Sequence, residues 1–347
     1  MRLPARLRGV PCLVLLGALL AVPASLSDRA VAAAVDAPAH APGTAPSPLL
    51  LRAPAISSKS ICFEYGGDLW LVPREGGEAR RLTAGPGEET DPAFSPDGAW
   101  IAFTGEYEGN RDVYLVAAEG GQPQRLTHHP GEDEVIGWTP DGARILFRSK
   151  RLGVAARTWR LFTVDRKGGL PEPIELPEGY DGAWSPDGRS LAWMGPTPAF
   201  RIWKHYRGGG ATWIAVTRLA DASLDPIPRE GSNDFNPMWV GETIYFLSDR
   251  DGPVTLYGYD TRARQVKKLL PNTGFDLKSA RATSDAIVYD HFGALGIYDL
   301  LHGQAHEITV RLQADLPQAR PHFVPVEDKI RAAALSPSGV RAVFEAR

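Results

Sequence analysis

The sequence predicts an all-β chain, one six-bladed β-propeller that follows an amino-terminal targeting segment. Three observations carry this reading. A strand–turn–strand signature recurs along the chain, shorter copies of its second strand fill the gaps, and sustained helical periodicity is absent. The fullest copy is Phe94-Ser95-Pro96-Asp97-Gly98-Ala99-Trp100-Ile101-Ala102-Phe103. Pro96 presets φ for an early turn position, Gly98 can adopt the left-handed conformation that closes the turn, and apolar residues flank both sides.

The signature returns as Trp138-Thr139-Pro140-Asp141-Gly142 before Ile145-Leu146-Phe147, and as Trp184-Ser185-Pro186-Asp187-Gly188 before Leu191-Ala192-Trp193. A last copy is Ser336-Pro337-Ser338-Gly339 before Ala342-Val343-Phe344. Ile61-Cys62-Phe63, Ile244-Tyr245-Phe246 and Ile287-Val288-Tyr289 keep only the second strand. Repeats spaced by about 40–50 residues, each with several strands, indicate a propeller. Seven second strands enclose six periods. The wide fourth period holds an insertion, residues 197–210, and the wide last one is accounted for by residues 308–324.

In chain order, residues 1–34 read as a secretory signal. Arg2, Arg6 and Arg8 precede an apolar stretch from Leu13 to Val22, too short to span a bilayer comfortably, and Ala-rich cleavage sites end near Ala24 or Ala34. The expected location is therefore periplasmic or secreted. Residues 35–50 form an Ala/Pro-rich linker without periodicity. Residues 51–325 are the propeller, and residues 326–347 either close the ring or begin a second one. Net charge is −3 and carries no basic block, which argues against a nucleic-acid partner. Of two cysteines only Cys62 lies beyond the signal, so no internal disulfide is expected.

One repeat shows the unit. Residues 92–95 and 100–104 are the first two strands, residues 112–117 the third after the turn at Gly109, and residues 124–127 the fourth after Gly120-Gly121. Four antiparallel strands make a blade. The Ser-Pro-Asp-Gly and Gly-Gly turns then share one face of the ring. The second-to-third turns and the blade-to-blade connections share the other, and these vary in length and composition, as functional loops do.

Four longer runs are more specific: Gly137 to Gly142, Trp203-Lys204-His205-Tyr206-Arg207-Gly208-Gly209, Asn236-Pro237-Met238-Trp239, and Tyr245 to Gly252. Through them the chain, from about Ile61 to its end, resembles the amino-terminal six-bladed propeller of tricorn-type serine peptidases. The shorter Ser-Pro-Asp-Gly repeats are shared with TolB-type propellers. The resemblance implies a non-catalytic, substrate-gating or peptide-binding domain of a peptidase that degrades oligopeptides. The family continues into a second propeller, a PDZ-like domain and a peptidase core. Its catalytic Ser, His and Glu belong to those later parts, so no catalytic residue transfers to this chain, and Arg347 falls inside a propeller-like strand as if in a fragment. The alternative is a stand-alone TolB-type module that docks protein partners.

The residues themselves show no nucleophile elbow, zincin helix or phosphate-cradling loop, so no catalytic residue, metal or cofactor is assigned. Peptides or unfolded segments are the expected partners, together with the downstream domains, and oligomerisation stays open. The candidate binding residues lie on the variable-loop face. The insertion contributes Trp203, Lys204, His205, Tyr206 and Arg207, a mixture suited to peptide backbone and carboxylate, although the loop could equally pack on its own blade. The blade connections contribute Asp91, Asp181 and Asp234, expected near the axis, where a negative mouth inside a basic surround would focus field on a peptide amine. The competing expectation is that these acids cap neighbouring turns.

Overall fold

The computed structural model describes residues 49–151, 158–195, 197–200, 204–313, 323 and 325–346. The targeting segment and Trp203 lie outside the described residues.

Six four-stranded antiparallel sheets follow one another in sequence, each running from an inner first strand to an outer fourth. The inner strands are Arg52–Ile56, Glu89–Phe94, Asp133–Trp138, Asp181–Trp184, Asp234–Val240 and Leu277–Ala282. The fold is the expected six-bladed propeller.

The turns form for local reasons. Gly98, Gly142 and Gly188 take φ of 71°, 65° and 69°. The Asp97 carboxylate accepts Ser95 Oγ–H and the Ala99 N–H, while Ser95 Oγ accepts the Trp100 N–H at 2.9 Å. Asp141 with Thr139, and Asp187 with Ser185, repeat the pattern. Ser/Thr, Asp and Gly at fixed offsets therefore satisfy the turn's donors without help from elsewhere.

The second strand of each blade supplies the core. Ile61, Ile101, Ile145, Leu191, Ile244 and Ile287 are all fully buried, and two residues on lie Phe63, Phe103, Phe147, Trp193, Phe246 and Tyr289. Residues i and i+2 of a strand share a face, so this pair covers the sheet that precedes it. Ile101 and Phe103 pack on Cys62, Leu69 and Leu71 of the blade before. Ile145 and Phe147 pack on Ala102, Val113 and Leu115. Ile61 and Phe63 pack on Val288, Leu295 and Ile297, which closes the ring from the sixth blade to the first. Burial holds the Cys62 thiol protonated, as suits a small core hydrophobe.

Closure has a second component. All four strands of the first blade come from residues 52–81, and Val310–Leu312 adds a fifth, parallel to Gly77–Arg81 at its outer edge. Residues 310–312 thus add to the closure made by the packing of the sixth blade on the first. Ile330–Leu335 and Ala342–Ala346 form a separate two-stranded hairpin with both strands exposed.

Candidate functional site

On the variable-loop face, ion pairs join several of the blade connections to basic residues beside them. Glu132 pairs with Lys150 at 2.5 Å and Asp133 with Arg151. Glu134 holds Arg148 at 2.6 Å and Arg111 at 3.0 Å, and Asp234 holds Arg250 at 2.8 Å. Where these pairs form, the acids and bases expected from sequence neutralise one another, whereas Asp91 and Asp181 form no ion pair among the described residues.

The insertion is anchored the same way. Lys204 Nζ reaches Asp276 Oδ2 at 2.9 Å, and Arg207 Nη1 reaches Asp249 Oδ2 at 2.7 Å with His205 Nδ1 at 3.5 Å. Asn233 donates its backbone N–H and its side-chain amide to the Asp249 carboxylate, and the same amide to the Tyr206 carbonyl at 2.9 Å. Burial pushes the Asp249 carboxyl up, but the bonds from Arg207 and Asn233 outweigh it and hold it below the usual range. A 220 Å³ pocket lies beneath the loop, lined by Phe200, Lys204, His205, Phe235, Asp249 and Lys278 among others. Lys278 Nζ stands 3.7 Å from the Phe200 ring centroid, and Phe200 meets Phe235 edge-on. The pocket thus combines aromatic walls with exposed ammonium groups over neutralised carboxylates.

Comparison with known proteins identifies the architecture. The family model for the tricorn protease N-terminal beta propeller domain matches residues 48–304. The chain belongs to that family. Tricorn protease homolog 1 of Streptomyces coelicolor is 31% identical over 285 residues, which is 77% of this chain and 25% of the relative. The crystal structure of the tricorn protease superposes with a TM-score of 0.68 at 24% identity, covering 75% of this chain and 26% of that one. TolB from Acinetobacter baumannii gives 0.53 at 21%, covering 65% and 55%, a likeness of fold. The chain spans about a quarter of the length of the curated tricorn relatives it matches.

Within this tricorn-family propeller the predicted acids have different fates. Asp91 sits at a bulge of its inner strand with φ of 52° and accepts the Thr90 and Thr104 hydroxyls, and its N–H bonds Glu64 Oε1 at 2.8 Å. Asp181 opens the inner strand of the fourth blade. Burial raises its carboxyl, against the pull of Arg281 and then Arg148, with a smaller push from the Asp91 charge. Asp234 turns inward, into its own blade. It is wholly buried and spends its oxygens on Ser232, Ser248 and Arg250, so it locks the fifth blade. Asp249 and Lys278 were not singled out from sequence, and Asp276, one of the acidic blade connections, pairs with Lys204 of the insertion. The Ser248-Asp249-Arg250 run was visible, but nothing in it shows that alternate residues face a buried lock and a loop anchor.

No hydroxyl is hydrogen-bonded to a histidine among the described residues. The contacts His205–Asp249 and His302–Asp299 lack a nucleophile.

Glu64 lies beside Asp91 at the first-to-second blade junction. Burial, then the Asp91 charge, push its carboxyl up to about 8, and only Arg52 and the Asp91 N–H oppose this. A carboxyl raised in the fold contributes stability that is complete below its unfolded value, 4.5, and is lost as pH rises through about 8. Glu64→Gln keeps an acceptor for the Asp91 N–H and removes the charge. Its thermal midpoint should match the parent near about pH 5 and exceed it near about pH 8.5. The same offset at both pH values would refute the assignment.

Proposed function

We propose that this propeller is the non-catalytic peptide-capturing domain of a tricorn-type serine peptidase that degrades oligopeptides, and that peptides meet it on the variable-loop face. The observation that supports this reading most is the pocket under the insertion. Phe200 and Phe235 offer apolar surface, Lys204 and Lys278 offer cations for a peptide carboxylate, and the His205 ring lies beside them, on a loop fastened to the fifth blade by Arg207. The tricorn relatives supply the proteolytic context. A secretory signal over residues 1–34 would place the domain in the periplasm or outside the cell.

Fluorescence anisotropy of labelled oligopeptides tests the reading. Lys204→Ala and Lys278→Ala should each weaken binding about 5- to 30-fold if they are anchor residues. Both side chains are exposed, so the fold should persist. Unchanged affinity in the double variant would move the site elsewhere.

A further inference from the structure

A cavity of 530 Å³ opens at the other end of the axis, among the Ser-Pro-Asp-Gly turns. That falls within the range of small-ligand pockets. Its wall is a collar built from one repeated position, the inner-strand residue paired with the buried Ile or Leu of the second strand. Phe94, Trp138, Trp184 and Trp239 occupy it in blades two to five, paired with Ile101, Ile145, Leu191 and Ile244. Ile56 and Ala282 occupy it in blades one and six. The four aromatic side chains are half-buried, and the collar is open on one side, where the residues are smaller.

Two opposite charges share this cavity without meeting. Asp181 comes from the fourth blade and Arg281 from the sixth, and among the described residues they form no ion pair. Arg281 donates Nη1–H to the Ala280 carbonyl at 3.2 Å, while its buried Nε–H has no acceptor. The buried Nε1–H of Trp184 has none either, whereas that of Trp138 is satisfied by the Ala93 carbonyl at 3.0 Å. Asp181 Oδ1 accepts the Gly182 N–H at 2.8 Å, and Oδ2 makes no hydrogen bond among the described residues. A guanidinium and a half-used carboxylate held apart on the wall of one largely aromatic cavity leave room for a polar guest between them.

We propose that this cavity binds a small zwitterion bearing a free α-ammonium, a free carboxylate and an aromatic or large aliphatic side chain. The carboxylate meets the Arg281 guanidinium, the ammonium takes Asp181 Oδ2, and the side chain lies against the aromatic collar. Apolar walls with a few convergent polar groups are the usual form of such a site. A free amino acid and an uncapped dipeptide present the same chemistry. The site is on the opposite face from the insertion and stands or falls separately from peptide capture there.

Calorimetric titration of the purified chain with phenylalanine, Phe-Phe, and Phe-Phe capped by acetyl and amide groups tests this. Saturable binding of one or both uncapped compounds is expected, with the amino acid and the dipeptide told apart by relative affinity. The capped dipeptide should bind at least about tenfold more weakly, since hydrogen bonds to charged groups are lost. Arg281→Met and Asp181→Asn should each reduce affinity by a similar factor. Asp181→Asn is isosteric, so it remains informative if Arg281→Met misfolds, which thermal unfolding will show. Equal binding of the capped dipeptide, no binding of either uncapped compound, or unchanged affinity in Asp181→Asn would overturn the proposal.

Discussion

Asp234→Ala is expected to destabilise the propeller by about 3–5 kcal/mol, the usual cost of stranding one member of a buried ion pair. Asp234 is fully buried, and Arg250 reaches it at 2.8 Å with 17% of its side chain exposed. The guanidinium lies over Phe246 and Tyr257, 5.2 and 5.1 Å from their ring centroids, so it has no easy route back to water. Without Asp234 the Ser232 and Ser248 hydroxyls also lose their acceptor. Asp234→Asn keeps a hydrogen-bonding group there and should cost less. Urea unfolding followed by intrinsic fluorescence reads both. An unchanged midpoint with an unchanged slope in Asp234→Ala would show that the lock contributes nothing.

Phe246→Ala should cost about the same, about 3–5 kcal/mol, through a cavity instead of a charge. Phe246 is fully buried at the interface between blades four and five, packed with Ala192, Ile214 and Ile244 and stacked on Tyr257 at 6.0 Å. The inner surface of a propeller gap has little freedom to collapse, because the same sheet is packed on its other face too. The two changes should not add. Removing the ring that Arg250 lies on also loosens the lock, so the double variant should lose less than the sum of the singles. Additive losses would mean that the lock and the core act independently.

The parts of this fold that were legible in sequence are those whose causes are local. A Ser-Pro-Asp-Gly turn satisfies its own donors, and an Ile-x-Phe strand states which face it buries, so blade number followed from counting them. What was not legible depends on partners far apart in sequence. Arg207 and Asp249 are 42 residues apart, and only the blade geometry shows that the loop's arginine neutralises a carboxylate read as a neighbour of another arginine. The closing strand Val310–Leu312 carries no turn signal and adds in parallel, so no pattern announces it. Asp234 belonged to the same acidic group as Asp91 and Asp181 on paper, and only burial separates a lock from an axial charge. Three of the four collar aromatics stand one residue before a Ser/Thr-Pro-Asp-Gly turn, and the fourth, Trp239, ends the run Asn236 to Trp239. The expectation that function follows variable loops drew attention to the opposite face.

Hydrogen-exchange mass spectrometry of the chain with and without saturating oligopeptide tests the loop-face account most directly. The account predicts slower exchange at the insertion, residues 204–210, and at the turn it is fastened to, residues 249–254, with the outer fourth strands unchanged. Protection confined to the outer strands, or none at saturating peptide, would contradict it.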